Sequence, residues 1–297
     1  MISLSFNKTI FYYMTNLTIR AGFMLASATL FLASCQTTSI SDSVEPASKD
    51  FQFGTSEQAY PNQVGTSKNF TLGGESVAYQ EINGENILGG DIILDPSQME
   101  DQKVTDGTYR TATSARWTGK KVYYTIDAGL ANQARVTGAI AHWETNTLLD
   151  FVARTNQSSY ITFRTGTGCS SSVGKVGGQQ FINLASGCST GNTIHEIGHA
   201  VGLWHEQTRK DRDTYVTINF ANIQSGLSGN FQTYVAQGAD GNETSGGLDF
   251  GSIMMYGSDA FSSNGLPTIV KKDGSTFTVQ RTGLSVKDKA AVTIMYP

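Results

Sequence analysis

Three of the four histidines in this 297-residue chain fall within eleven consecutive positions. They are His195, His199 and His205, in the stretch HEIGHAVGLWH, and Glu196 directly follows the first of them. On a helix, His195 and His199 lie one turn apart on the same face, so both imidazoles can reach one ion. Three neutral imidazoles with an open fourth position are typical of a catalytic zinc site. The spacing therefore predicts one zinc ion held by these three histidines.

Two further residues in the same stretch suit hydrolytic chemistry. Glu196 is the residue after His195 on the helix, and from there its carboxylate can hold a water molecule and accept its proton. Gly202 can adopt the positive φ that ends a helix, which would turn the chain and bring in His205. The fourth histidine, His142, lies beside Trp143 on an earlier predicted helix. We expect it to be an exposed or packing residue rather than a ligand.

The elements that must position these side chains are short and of mixed type. Strands are predicted where β-branched and aromatic residues cluster or alternate, at 121–127, 160–164 and 180–184. Apolar residues at three-to-four spacing predict a helix from Val136 to Thr147, and a Gly/Ser loop follows at 166–178. This order favours an α+β domain with a mixed sheet backed by helices.

Composition excludes several classes of protein. The formal net charge is −4 and the pI is about 5.6, which argues against a nucleic acid as partner. Three cysteines are too few for a disulfide scaffold, and 39% hydrophobic residues are too many for a disordered chain. The chain is long enough to bury a full core, and its length alone allows one large domain or two modest ones. We expect a monomer.

An export signal is predicted at the N-terminus. The 13 residues 21–33 are apolar and follow Arg20, a length that suits a signal peptide but is too short to span a bilayer. The sequence LASC ending at Cys35 resembles a bacterial lipoprotein box, which predicts a lipid on Cys35 and membrane contact only through that anchor. The alternative is an ordinary signal peptidase site. Translation starting at Met14 would give a more conventional signal.

Between the signal and the predicted domain, residues 36–107 are polar and rich in Ser, Thr, Gln, Asn and Gly. They are expected to form a linker followed by weakly structured segments. One apolar island interrupts them at 87–94, with the sequence ILGGDIIL. By pattern alone it predicts a short strand or extended segment with a kink at the two glycines.

From Trp117 to Pro297 the chain resembles the astacin family of metzincin zinc endopeptidases. The resemblance rests on H-E-x-x-H-x-x-G-x-x-H, on its continuation HEQTRKDRD, and on SIMMY at 252–256, where Met255 stands at a position usually occupied by His. It implies a metzincin-like fold, with a twisted mixed sheet, an active-site helix and a cleft, preceded by an extended pro-region. The implied reaction is hydrolysis of internal peptide bonds in protein or peptide substrates.

The resemblance also implies roles for single residues. Met254 would form an apolar floor beneath the zinc site, and the Tyr256 phenol would stabilise the oxyanion. Glu206 would receive the new N-terminus after activation. Cys169 and Cys188 would form a disulfide that closes a loop of about 20 residues and contributes roughly 3 kcal/mol.

A pro-region motif of the family, F-x-G-D-I, resembles LGGDI at 88–92, with Leu88 in place of Phe. By this resemblance Asp91 would ligate zinc and block the open position in a zymogen. The alternatives are a turn aspartate, or an unlipidated Cys35 thiolate that would bind zinc instead.

The expected organisation follows from these assignments. It comprises a signal peptide at 1–35, a pro-region at 36–110 and a catalytic domain at 111–297. An activating protease would cut between Gly107 and Trp117, with Arg110 and Arg116 as candidate sites, and would release the enzyme from any lipid anchor. The product is expected to be exported, either anchored at the membrane or extracellular after processing.

Two other functions compete with this one. GCSTG at 187–191 fits the G-x-S-x-G pattern of a serine hydrolase nucleophile at Ser189. No histidine follows His205, however, and the only acid between Ser189 and His205 is Glu196, which lies on the same predicted helix as His195 and His199. A relay of serine, acid and histidine therefore cannot close there. A non-catalytic surface lipoprotein with a zinc site would be expected to lack a ligand or Glu196, and none is missing.

Overall fold

The computed structural model describes residues 57–72, 75–99 and 108–297. The predicted signal peptide, the alternative start at Met14 and the lipid site at Cys35 lie outside the described residues. Within those residues, no helix is both long enough and apolar enough to cross a membrane.

Five strands of the C-terminal part form one mixed sheet. They are β5 (Lys121–Ile126), β6 (Asp150–Ala153), β7 (Tyr160–Arg164), β8 (Cys169–Ser171) and β9 (Gln179–Leu184). Their spatial order is β8-β9-β7-β5-β6, and every pair is parallel except β8 with β9. The predicted mixed sheet is therefore confirmed.

Three helices complete the α+β architecture. They are α1 (Ala134–Asn146), α2 (Thr190–Val201) and α3 (Val286–Met295). The buried face of α1 packs on α2, and the Trp143 indole donates a hydrogen bond of 3.1 Å to the Ile194 carbonyl. From the preceding segment, the Trp117 indole donates to Ala200 at 2.9 Å. These contacts tie α2, which carries the predicted ligands, to the main core.

The N-terminal region, residues 57–99, contributes four more strands to the same sheet. They are β1 (Thr66–Leu72), β2 (Glu75–Ile82), β3 (Glu85–Leu88) and β4 (Ile92–Leu94). These strands are antiparallel neighbours in chain order, and β4 then pairs in parallel with β8 through Ile92 and Ser171. The result is a nine-stranded sheet with the order β1-β2-β3-β4-β8-β9-β7-β5-β6.

The sequence predicts a single short strand or extended segment at 87–94, kinked at its two glycines, and the structure has parts of β3 and β4 there, joined by a turn at those glycines. The others lie in the part expected to be weakly structured, which is in fact a four-stranded meander. Strand β1 is largely exposed, so it lacks the alternation of apolar and polar residues that marks a half-buried strand. It forms because its backbone pairs with that of β2 from Thr66 to Leu72.

The chain after α2 consists mainly of loops and short helical turns. A two-stranded sheet, β10 (Val216–Ile218) with β11 (Ile269–Lys271), lies within this part. A second apolar cluster forms around Phe231, Tyr256 and Phe261. This cluster provides the setting for Tyr256, whose ring lies beside that of His205.

Candidate active site

Helix α2 is held at both ends by local sequence signals. At its start, Ser189 accepts a hydrogen bond from the Asn192 amide, and the Asn192 side chain accepts one from the Ser189 amide. Such reciprocal capping satisfies backbone donors that would otherwise lack partners. At its end, Gly202 has φ of 113°, the left-handed conformation that glycine adopts without steric cost. The predicted helix and its predicted terminator are both confirmed.

The turn after Gly202 brings the third histidine to the first two. The Nε2 atoms of His199 and His205 are 3.2 Å apart, and all three imidazoles are buried. Asp91, from the turn between β3 and β4, completes the group. Its Oδ2 lies 3.3 Å from His195 Nε2 and 3.2 Å from His205 Nε2, and its Oδ1 lies 3.7 Å from His199 Nε2. The structure thus brings together all four predicted metal ligands.

This group has the dimensions of a zinc site. One ligand atom from each of the four residues lies within 4.8 Å of the others. Atoms at the corners of a tetrahedron, about 2.0–2.1 Å from a central zinc ion, are about 3.3–3.4 Å apart. Three imidazole nitrogens with one carboxylate oxygen are also a donor set that zinc accepts. The residues therefore fit one zinc ion.

Backbone carbonyls fix the orientation of two of these rings. His195 Nδ1 lies 2.8 Å from the Ile253 carbonyl, and His199 Nδ1 lies 2.8 Å from the Leu203 carbonyl. A carbonyl can only accept, so each Nδ1 carries the proton and each Nε2 lone pair is directed at the site. Burial lowers the pKa of His199 to about 4, which keeps this ring in the neutral form that ligates a metal.

Glu196 is fully buried beside this group. Neither of its carboxylate oxygens has a hydrogen-bond partner among the described residues. Burial raises the pKa of Glu196 well above its usual value, and the negative charges of Asp91 and Glu57 raise it further. A buried, unpartnered carboxyl in a site of this kind is a candidate for proton transfer.

Tyr256 lies directly against the third histidine. Its ring centroid is 4.5 Å from that of His205, and its hydroxyl donates a short hydrogen bond to the Gly89 carbonyl of the N-terminal region. Burial raises the pKa of Tyr256 well above its usual value, so the phenol keeps its proton and remains a donor. A phenol that donates to a carbonyl oxygen at this position has the chemistry required of an oxyanion stabiliser.

The segment 252–256 supports the site from below. The Met254 sulfur packs so closely under Gly198 of α2 that a side chain at Gly198 would begin 2.6 Å from it. The Ile253 carbonyl orients His195, as described above. Asp288, in the first turn of α3, accepts hydrogen bonds from the Ser252 hydroxyl at 2.6 Å and from the Ile253 amide at 2.9 Å. Sequence reasoning missed Asp288, because it meets this turn only in the folded chain.

Glu206 occupies a separate buried position beyond His205. Its carboxylate accepts a hydrogen bond of 2.8 Å from the Asp249 amide, and burial raises its pKa to about 8. A small cavity next to it is also lined by Thr108, the first residue described after the gap at 100–107. Glu206 and Thr108 therefore line the same small cavity.

Four other residues singled out in the sequence have structural roles. A disulfide joins Cys169, at the start of β8, to Cys188, just before α2, which is the pairing that the resemblance implied. Ser189 caps α2 and makes its hydrogen bonds with Asn192, rather than acting beside a histidine as a nucleophile. His142 is half-buried and accepts a hydrogen bond from the Leu284 amide at 3.0 Å.

Comparison with known proteins decides the family. The sequence profile of the astacin peptidase family matches residues 109–297, more than half of the chain. The chain belongs to the astacin family. This astacin domain holds the helix α2, the three histidines, Glu196 and Tyr256, and family membership makes it a zinc metalloendopeptidase domain.

Individual relatives agree with this assignment. The chain is 39% identical over 230 residues to Blastula protease 10 of Paracentrotus lividus, an alignment covering 72% of this chain and 38% of the relative. It is 32% identical over 280 residues to Zinc metalloproteinase nas-15 of Caenorhabditis elegans, covering 84% and 48%. The chain thus spans about a third to a half of the length of the curated relatives it matches first.

A solved astacin-like structure supports the fold directly. High choriolytic enzyme 1, a hatching enzyme zinc-protease from Oryzias latipes, superposes with a TM-score of 0.57 at 34% sequence identity. The match covers 62% of this chain and 96% of that structure. The predicted metzincin-like fold of the C-terminal domain is therefore confirmed.

Proposed function

We propose that this astacin is made as an exported zymogen whose C-terminal domain, residues 111–297, hydrolyses internal peptide bonds of proteins. Residues 36–110 would be the pro-region that keeps it latent. The observation that carries the proposal is the buried group of His195, His199, His205 and Asp91, in which three ligands come from the domain and the fourth from the N-terminal region.

The three histidines would hold the zinc ion. Bound zinc supplies Lewis acidity, which polarises the scissile carbonyl and lowers the pKa of water to near neutrality. Glu196 would accept a proton from the attacking water and then give it to the leaving amine. Its burial, and the absence of hydrogen-bond partners among the described residues, leave both oxygens available for this transfer.

Tyr256 would stabilise the oxyanion on the substrate. In the latent chain its hydroxyl already binds a carbonyl oxygen, that of Gly89. Once the pro-region has left, the same donor can bind the oxygen of the scissile peptide, where negative charge develops in the transition state. Met254 would act only as the packed floor beneath α2, since its side chain makes apolar contact with Gly198.

Latency would come from Asp91 and the backbone around it. Gly89 and Gly90 have φ of 60° and 85°, which lets the chain turn sharply between β3 and β4. A side chain at Gly90 would collide with the Phe261 ring, so only glycine allows this close approach. The turn directs the Asp91 carboxylate at the three histidines, where it would occupy the position needed by water and substrate.

Activation would require a cut near the start of the domain. Residues 110–112 are held firmly: the Arg110 amide donates to Gly202, and Asp240 accepts from the Arg110 side chain and from the amides of Thr111 and Ala112. Cutting at Arg110 or Arg116 would sever or discard this attachment. Thr108, in contrast, lines the cavity beside Glu206. We therefore place the cut just before Thr108, three residues ahead of the boundary at 110/111 predicted from the sequence, so that the new amino group pairs with the Glu206 carboxylate.

Export and anchoring are proposed from the sequence alone. Cys35 would carry the lipid and become the first residue after removal of the signal peptide, and the activating cut would release the domain from the membrane surface. Membrane fractionation before and after processing tests this step. A processed form that remains with the membrane would contradict it.

The most informative test of the proposed activity is cleavage of a peptide library by the activated enzyme. We expect cleavage at internal bonds, its loss when a chelator removes the metal, and its return when zinc is added. Cleavage that survives chelation would contradict a metallopeptidase, and a protein that binds zinc but cleaves no peptide would support a non-catalytic role instead.

A further inference from the structure

A second carboxylate of the N-terminal region lies buried beside the metal site. Glu57 is only 1% exposed, and its Oε2 is 3.9 Å from Nε2 of His195. It is too far away to belong to the group of four ligand residues. Nothing in its sequence surroundings marks it, since it stands far upstream of the LGGDI segment.

The partners of Glu57 belong to the astacin domain. Arg281 donates from Nε to Oε1 at 2.5 Å and from Nη2 to Oε2 at 2.8 Å, and Asn192 donates from its side-chain amide to Oε1 at 2.8 Å. Two parallel bonds between a guanidinium and a carboxylate combine charge with a fixed direction. Arg281 lies before α3 and Asn192 lies in the first turn of α2, so Glu57 joins the N-terminal region to two separate parts of the domain.

The backbone next to Glu57 is bonded to the turn that carries Asp91. The Ala59 amide donates to the Gly90 carbonyl at 2.9 Å. Both segments also bond to β8, because the Cys169 amide donates to Gln58 at 3.0 Å and the Ser171 amide donates to Asp91 at 3.1 Å. Holding Glu57 in place therefore also restrains Gly90, the residue before Asp91, because the Ala59 amide binds the Gly90 carbonyl.

The two carboxylates differ in what holds them. Asp91 faces three imidazoles, which would hold it mainly through the zinc ion that all four residues are proposed to share. Glu57 faces a guanidinium, which is charged at every physiological pH, and an amide, and only one imidazole, that of His195, lies near it, at 3.9 Å. Because the pair is buried, removing one partner would leave a charge without compensation, which is strongly unfavourable.

We propose that Glu57 is a second anchor of the pro-region, one that holds it in the cleft through Arg281 and Asn192 independently of the metal. The inference rests on the proposed zymogen function and adds to it a contact outside the zinc ligands. It gives the latent chain a way to keep the Asp91 turn in place before zinc binds or when zinc is lost.

Hydrogen exchange on the uncut full chain tests this anchor. Exchange would be followed by mass spectrometry with zinc chloride and with a chelator, in the wild type, Glu57→Gln and Glu57→Ala. Glu85→Gln is the matched control. Glu85 is also a carboxylate of the N-terminal region, and it lies 3.7 Å from an arginine of the domain, Arg164. Unlike Glu57, it is partly exposed to solvent.

In the chelated wild type we expect the amides of 57–60 and 87–92 to remain protected. Both Glu57 variants should exchange at least about tenfold faster in these segments when zinc is absent, and less so when zinc is present. The Glu85→Gln control should stay within about twofold of the wild type, as expected for a rim pair.

Three results would overturn the proposal. The first is equal protection of wild type and Glu57 variants in the chelator. The second is loss of protection in the wild type on chelation alone, which would make the hold metal-dependent. The third is faster exchange that extends to α1, which would make Glu57 a support of the whole fold. Failure of the proposed zymogen function would show separately, as unchanged latency when Asp91 is replaced.

Discussion

At the scale of single residues, the group of candidate metal ligands includes one carboxylate, Asp91, that comes from a different part of the chain than the three histidines. The three histidines are readable from the sequence because two of them share a helix face and the third follows a glycine terminator. Asp91 could be proposed only from the LGGDI resemblance, and the structure places its oxygens 3.2 to 3.7 Å from the three Nε2 atoms. Latency should therefore depend on this side chain.

Replacing Asp91 tests that dependence. In the uncut chain, Asp91→Ala should raise the rate of peptide cleavage by at least about tenfold. Replacing residues that only contact the ligands of a metal already changes activity by about this factor, and Asp91 would be a ligand itself. Fluorogenic peptide assays with intact-mass confirmation of the uncut state provide the measurement. Asp95→Asn is the control, since Asp95 lies in the same region but outside the ligand group. An Asp91→Ala chain as latent as the wild type would contradict the role.

A pH-dependent contact is built around the remaining histidine. The Leu284 amide donates to His142 Nε2, which must be neutral to accept. Burial lowers the pKa of His142, and the positive charge of Lys289 lowers it further. The unfolded chain therefore takes up this proton at a higher pH than the folded chain, and stability is lost as the pH falls through the unfolded-state value of about 6.5.

Comparison with His142→Gln isolates this contribution, because glutamine keeps an acceptor but does not titrate. Between about pH 7.5 and 5, the free energy of unfolding should fall more steeply in the wild type than in the variant. The free energy of unfolding would be measured at each pH by denaturant unfolding of the uncut protein in the presence of zinc. Parallel pH profiles for the two proteins would contradict the assignment.

Some residues of the site could not be found from the sequence. Glu57, Arg281 and Asp288 act through partners that are distant along the chain and that meet only after the sheet and helices have packed. Their residue types are ordinary for surface positions, so no local spacing distinguishes them. Glu206 and Tyr256 were accessible only because the resemblance pointed to them.

At the scale of elements, the strongest sequence signals predicted the correct elements. Strands β5, β7 and β9 and helix α1 have the predicted type and nearly the predicted bounds, because their apolar residues recur with the period of the element. Helix α2 has the predicted type and ends where Gly202 predicts, but its start was not predicted, and it is buried on almost all sides. Strand β8 was hidden in the predicted Gly/Ser loop because it has only three residues, and the four-residue β6 also went unrecognised. The exposed β1 has no apolar face to detect.

The start of α2 offers a test between two readings of Ser189. If Ser189 is a helix cap, Ser189→Ala should lower the free energy of unfolding by about 1 kcal/mol. If Ser189 is a hydrolase nucleophile, the same substitution would abolish activity. We expect a measurable loss in denaturant unfolding and an activated enzyme that cleaves peptides within about threefold of the wild-type rate. A well-folded Ser189→Ala variant without activity would support the alternative that the protein is a serine hydrolase.

At the scale of the whole molecule, the described N-terminal strands and the astacin domain share one nine-stranded sheet. This continuity was not predictable, because it depends on the single parallel pairing of β4 with β8 and on contacts such as that of Glu57 with Arg281. The pro-region would therefore leave only when its strands separate from the edge of the domain's own sheet. In the proposed zymogen, cutting the chain would permit this separation.

The position of the activating cut is a prediction at this scale. The mature enzyme should begin at Thr108, with its amino group beside Glu206, and N-terminal sequencing together with intact mass would identify it. Glu206→Gln should then weaken the mature form more than the uncut chain, as measured by thermal unfolding. A mature N-terminus at Thr111 or Trp117, following cuts after Arg110 or Arg116, would contradict this placement.

We expect the three histidines and Glu196 to form a zinc endopeptidase site. The decisive measurement compares wild type and Glu196→Ala, both activated, for zinc content by elemental analysis and for peptide cleavage by mass spectrometry. We expect one zinc ion per chain in both proteins and a cleavage rate lowered by at least about 10²-fold in the variant. Zinc-loaded Glu196→Ala that cleaves peptides at the wild-type rate would contradict it.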